Sequence, residues 1–355
     1  MSKYLFGFLG ILMLFTSCQN TQSDLSNEEG VSESRAQKSI TLYTHRHYDT
    51  DKEIFAQFEE QTGITINVVK DGASALINKM ETEGEQSPAD LLITVDAGRL
   101  VDAKQKGLLQ PIESDFLRKT VPEKLSDSQT HWIGLTKRAR IVVYHPEKVD
   151  PEELTTYEDL VSERWKGKLL IRSSDNIYNQ SLMASIIANL GEEAAEEWAR
   201  GMVANFARTP SGNDRDQVKA ILAGEGDIAI INTYYLGKLL NSADPQEVEA
   251  GEAVRVFFPN QGEGDRGAHI NISGVGLAKH AKNKEDAIRL IEYLASKEVQ
   301  ERFASANYEY PVNPEAEASD LLKSWGDFKE DSLPLVKLGE LNRDAVVLFD
   351  KVDWK

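Results

Sequence analysis

Ile228-Ala229-Ile230-Ile231-Asn232-Thr233-Tyr234-Tyr235-Leu236-Gly237-Lys238-Leu239-Leu240 reads as a buried strand running straight into a short helix. On a strand the two adjacent phenols would point to opposite faces. At a helix start they diverge by only about 100°, the step set by 3.6 residues per turn, so both oxygens can approach one point. Asn232 is a good N-cap for such a start. The point would lie beyond a strand's carboxyl end, where open α/β sheets hold their ligands. Taken alone, the pair is read more simply as two half-buried packing rings.

Outward from that stretch, strands and helices alternate. Residues 40–43 form a strand, 45–48 a turn, and a helix capped by Asp49 or Thr50 runs to 61 and stops at Gly63. Strand 64–69, helix 74–83, strand 89–96 and helix 97–106 follow, giving a βαβαβ unit with a parallel sheet. Residues 131–144 are strand-like, with Arg138 and Arg140 inside an apolar stretch. Beyond them come helix 157–164, strand 168–171, a turn over 173–180 holding Tyr178, and two Ala-rich helices over 180–206. Helix 214–222 leads into the strand before Tyr234. Strands over 253–258 and 269–278, two helices within 284–306 and a helix within 341–349 complete the pattern. This predicts an α/β protein of two α/β lobes joined by crossing strands that make a cleft and a hinge. Residues 39–139 and 269–355 are assigned to lobe 1 and 140–268 to lobe 2.

The net charge of -18 over 355 residues excludes nucleic acid and anionic membrane surfaces as natural partners. The amino terminus has a lysine at position 3, an apolar run from 4 to 15 and small residues before Cys18, the chain's only cysteine. The run is short for a membrane span and has the proportions of a signal peptide. It resembles a bacterial lipoprotein signal, which implies a signal peptide over 1–17, cleavage before Cys18 and lipid on its sulfur. Residues 18–38, polar and poor in large apolar side chains, read as a flexible tether. A lone cysteine leaves no internal disulfide and no Cys-cluster metal site.

Three strand-to-helix turns carry phenols: Tyr48 (beside His47), Tyr178, and the Tyr234-Tyr235 pair. Phenolate is a hard, anionic donor suited to a hard, highly charged cation, for which ferric iron is the common biological candidate. The free phenol has a pKa of roughly 10, so a cation must expel protons to bind. His45, His131, His145, His269 and His280 have no spacing that pairs them as ligands and read as structural or surface residues. Asp96 reads as a helix cap.

The segments Arg46-His47-Tyr48-Asp49-Thr50-Asp51, Ser87-Pro88-Ala89-Asp90-Leu91-Leu92, Arg138-Ala139-Arg140-Ile141-Val142-Val143-Tyr144, Tyr178-Asn179-Gln180-Ser181-Leu182, Asn232-Thr233-Tyr234-Tyr235 and Leu348-Phe349-Asp350 together carry a family resemblance. The chain resembles the bacterial periplasmic ferric-iron-binding proteins of ABC transporters, on the branch typified by cyanobacterial iron-binding proteins. The resemblance implies a periplasmic binding protein-like, type II solute-binding fold. It also implies a monomer at the outer side of the inner membrane that hands iron to an ABC permease without catalytic turnover. Tyr48, Tyr178, Tyr234 and Tyr235 become iron ligands; His47 matches a position that ligates in some members only. The cargo the resemblance implies is Fe3+, with Fe2+ as the alternative. Four phenolates around Fe3+ leave a single negative charge, which Arg138 or Arg140 would offset. The alternative on the same fold is a non-metal ligand: an oxyanion, a polyamine or an organic phosphate. An envelope enzyme is disfavoured, because the chain has no Gly-x-Ser-x-Gly elbow, no His-Glu-x-x-His and no phosphate-binding Gly-rich loop.

Overall fold

The computed structural model describes residues 38–46 and 48–355. The signal peptide, Cys18, the tether up to residue 37, and His47 lie outside the described residues. Among the described residues no helix is long and apolar enough to cross a membrane.

The chain opens with β1 (Ser39–Thr44), α1 (Asp49–Thr62), β2 (Thr65–Lys70), α2 (Ala73–Glu83), β3 (Leu91–Thr94) and α3 (Ala97–Gln105). β1 pairs in parallel with both β2 and β3, the expected βαβαβ unit. Ile54 and Phe58 bury the inner stripe of α1, and Gly63 ends the helix at φ 68°, a conformation that suits glycine. The capping expectation differs in detail: Tyr48 occupies the N-cap position, and Asp49 and Thr50 lie inside the helix. β4 (Leu109–Gln110) and α4 (Asp115–Thr120) lead to β5 (Trp132–Tyr144), a long strand that changes partners midway. Its first half pairs with β9 (Ile270–Ala278), and from Arg140 onward it pairs with β7 (Ile228–Asn232) and then β8 (Arg255–Phe257). The hydrogen-bonded path runs β2-β1-β3-β9-β5-β7-β6, with β6 (Leu169–Leu170) parallel to β7. The helical expectation over 157–164 is met only by short 3-10 turns.

The second half adds α5 (Ile177–Leu190), α6 (Glu192–Asn205), α7 (Asp214–Leu222), α8 (Thr233–Leu240) and α9 (Pro245–Glu252). After β9 come α10 (Lys284–Leu294), α11 (Lys297–Asn307), β10 (Tyr310–Pro311), α12 (Asp320–Ser324), α13 (Val336–Glu340) and α14 (Asn342–Lys351). Alternation along β5 divides the core: Ile141 and Val143 join the larger apolar cluster, Val142 and Tyr144 the smaller one.

Near the carboxyl end, α14 packs on α5 and α6. Every residue from Asn179 to Ile187 on α5 is buried, so this helix needs cover all round. Ala345, Leu348 and Phe349 supply part of that cover, and Trp354 packs edge-on to Phe206 at 4.8 Å.

Candidate metal centre

Four strand ends meet at one place. Beyond β1 lie His45, Arg46 and Tyr48; beyond β3, Val95; beyond β6, the start of α5; and β7 turns directly into α8. A cavity of about 210 Å³ there is lined by His45, Arg46, Tyr48, Val95, Tyr178, Arg215, Tyr234, Tyr235 and Lys238. All four tyrosines singled out from the sequence line it. Each stands at the start of a helix: Tyr48 as the N-cap of α1, Tyr178 as the second residue of α5, Tyr234 and Tyr235 as the second and third of α8. Helix starts favour negative charge nearby. Among the described residues no group of three or more His, Cys, Asp and Glu side chains is placed to hold a metal. The phenols are the hard donors the cavity offers.

Tyr234 and Tyr235 do leave a helix start side by side, their ring centroids 4.3 Å apart and the planes inclined at 34°. The Tyr234 hydroxyl donates to the Tyr178 oxygen at 3.1 Å, and the Tyr178 ring lies 6.5 Å from that of Tyr235. Asn232 ends the strand as expected, but its side chain makes no capping hydrogen bond. Its backbone N–H instead donates to the Asp214 carboxylate at 2.7 Å. Asp214 also accepts from Arg140 at 2.8 Å, and Arg140 donates to Asn179 on α5 at 2.8 Å. One buried carboxylate therefore ties together the starts of α7, α8 and, through Arg140, α5.

Tyr48 is held differently. Arg46, two residues earlier, is buried with its guanidinium paired to Asp51 at 3.1 Å and to Glu309 at 3.0 Å. It also donates to the Thr136 hydroxyl at 3.1 Å. Its charged carbon lies 4.8 Å from the ring centroids of both Tyr48 and Phe303, a cation–π sandwich.

Burial dominates the electrostatics. It pushes the Tyr234 phenol well above its ordinary range, helped by Tyr178, Tyr235 and Tyr48 and opposed by Arg138. Burial also raises Tyr178, with Tyr235 adding to it while Arg138 and the Tyr234 hydrogen bond act in the opposite direction. Tyr48 is raised by burial and then by Glu309, against the pull of Arg46. These three phenols are protonated in the metal-free molecule, so a cation enters by displacing protons.

The two arginines named from the sequence both approach Tyr178. The charged carbon of Arg138 lies 5.2 Å from that ring and that of Arg140 6.0 Å. Arg140 is committed to Asp214 and Asn179. Arg138 donates to the Asp96 carboxylate at 3.5 Å, and among the described residues its Nε and Nη1 have no hydrogen-bond partner. Asp96 caps α3 by accepting from the Gly98 N–H at 2.8 Å, as expected, and also accepts from Ser181 at 2.9 Å and Asn271 at 2.8 Å. His45, read as structural or surface, lines the cavity.

Sequence reasoning missed three further cations. Arg172 lies 5.4 Å from the Tyr178 ring, and Arg215 and Lys238 line the cavity. Lys238 stands four residues after Tyr234 and three after Tyr235, a spacing that puts all three on one helix face; that signal was available. Glu309 offered none, lying 263 residues from Arg46 in the chain.

Two α/β halves sharing a long strand, with a small cavity at the strand ends, are the architecture of a solute-binding protein. The chain belongs to the bacterial extracellular solute-binding proteins, whose family pattern matches residues 53–330. It is thus an extracytoplasmic binding protein of a family that captures solutes rather than transforming them. It is 45% identical over 343 residues to iron uptake protein A1 of Synechocystis sp., covering 96% of this chain and 93% of that protein. The Trichodesmium FutA structure in complex with iron and citrate superposes with a TM-score of 0.86 at 48% identity, covering 89% of this chain and all (100%) of the other. The ferric binding protein of Campylobacter jejuni gives a TM-score of 0.84 at 42% identity, over 89% of this chain and 100% of that one. The chain sits on the iron-uptake branch of the family.

Proposed function

We propose that this chain is the iron(III)-binding receptor of an ABC-type uptake system. It takes Fe3+ as cargo between Tyr48 on one side of the cleft and Tyr178, Tyr234 and Tyr235 on the other, with His47 as a further candidate ligand. The observation that carries this reading is the convergence of four phenols from three helix starts on one cavity that, among the described residues, no carboxylate lines. Phenols held above their ordinary pKa by burial need a strong Lewis acid to ionise, which favours the trivalent ion over the divalent one. The names of similar proteins, iron uptake and ferric binding, agree with this. Arg138 offsets the negative charge of a tetraphenolate centre, with Arg140 holding the scaffold beneath it.

Residues 39–139 form the core of one lobe and 140–268 the core of the other, with the last helix riding on the second. Closure brings Tyr48 onto the other three phenols, so iron favours the closed state by its differential affinity. A permease in the inner membrane receives the cargo, and Cys18 carries the lipid that keeps the receptor at the membrane. Ferric loading of the purified protein should produce a visible phenolate-to-iron absorption band. The Tyr234→Phe, Tyr235→Phe double variant should lose most of that band and most of the affinity; an unchanged band and affinity would refute the assignment.

A further inference from the structure

α8 carries Tyr234 and Tyr235 and, one turn further along the same face, Lys238. The Lys238 ammonium lies 3.6 Å from the centroid of the Tyr48 ring and 5.6 Å from that of Tyr234. Tyr48 belongs to the opposite side of the cleft, where it starts α1. The contact therefore bridges the opening. Beside it, Gly237 is packed so closely against Tyr308, at the end of α11, that a Cβ would lie 2.4 Å from the Tyr308 Cβ. α8 thus meets Tyr48 at the start of α1 and Tyr308 at the end of α11 through neighbouring residues. Burial, with Arg46 and Arg215, disfavours the Lys238 charge and brings its pKa down to about 8, while Glu309 and Asp51 favour the charge. The ammonium sits over ring faces, the electron-rich side of an aromatic.

We propose that Lys238 is the clasp of the closed, loaded protein. Its ammonium on the face of Tyr48 fastens one side of the cleft to the other. It also places positive charge beside a centre in which four phenolates and Fe3+ sum to a single negative charge. Lys238 is a positioning residue acting through Tyr48, and its role rests on the iron-receptor reading above. A clasp slows cargo release without creating the coordination sphere.

The test uses the protein loaded from ferric citrate and challenged with excess EDTA, comparing the unsubstituted chain with Lys238→Met and Lys238→Arg. The visible band reports the iron centre, its decay the release rate, and small-angle X-ray scattering the compactness. Both variants should keep the band. Lys238→Met should release iron roughly 3- to 30-fold faster, the range a partly desolvated cation–π contact would give, and scatter as a more open particle. Lys238→Arg, which can occupy the same ring face, should return both readouts towards the unsubstituted values. Release from Lys238→Met at the unsubstituted rate overturns the clasp, as does faster release that Arg does not rescue. Loss of the band in a folded Lys238→Met protein also overturns it, because the lysine would then be setting ligand geometry. No band in the unsubstituted protein overturns the iron reading itself.

Discussion

The two sides of the cleft are built on different plans. Tyr178, Tyr234 and Tyr235 are within reach of one another, joined by a hydroxyl hydrogen bond of 3.1 Å and by ring contacts. The backbone beneath them is fixed by the Asp214 carboxylate and by Arg140. Tyr48 faces them alone. It is steadied by the stacked Arg46, whose charge is balanced by Asp51 and Glu309. On the proposed reading, three donors are assembled before cargo arrives and the fourth is delivered by closure. Such a division lets the open protein capture iron and the closed one retain it.

The sharpest way to break this comparison is to remove the lone phenol. Tyr48→Phe should still take up ferric iron on the other three and keep a visible band. Its affinity should fall by at least the roughly 10- to 100-fold typical of losing an outer-shell partner, because a ligand itself is gone. Iron titrations with a competing chelator measure this; a variant that binds no iron at all would place Tyr48 in the preassembled half. A smaller effect is expected from Gly237→Ala. The added methyl would lie 2.4 Å from the Tyr308 Cβ, a contact the proposed closure would have to make. Overpacking costs about 1–3 kcal/mol, so the variant should bind iron on the three-phenol side yet scatter as a more open particle. A normally compacted, iron-loaded Gly237→Ala protein would show that the Gly237–Tyr308 contact is no part of closure.

Much of this was legible in the sequence, for identifiable reasons. The parallel βαβαβ unit follows from apolar runs punctuated by Gly63 and Gly107. The step from Ile231 to Tyr234 follows from the angular difference between strand and helix. Where the reading failed, the missing information was tertiary. An apolar stripe on residues 342–351 says that a face is buried and leaves open against what; the demand of α5 for cover decided it. Asn232 has the composition of a side-chain cap, yet its side chain makes no capping hydrogen bond, and its backbone N–H separately donates to Asp214. Glu309 reaches Arg46 only because α11 and β10 return beside β5, a proximity that no local pattern encodes.

The central claim is that protonated phenols become the ligands of a trivalent cation. The most direct measurement is the ultraviolet difference spectrum of tyrosine ionisation on adding ferric citrate, repeated from neutral to mildly acidic pH alongside the iron affinity. The phenols of Tyr48, Tyr178 and Tyr234 sit above their ordinary pKa in the metal-free protein. Each of these phenols must therefore release a proton to bind as phenolate, and affinity must fall as pH falls, by up to about tenfold per pH unit for each proton displaced. The account predicts tyrosinate absorbance appearing in step with iron and a steep loss of affinity on acidification. Iron bound tightly with no tyrosine ionised, and with an affinity indifferent to pH, would contradict it.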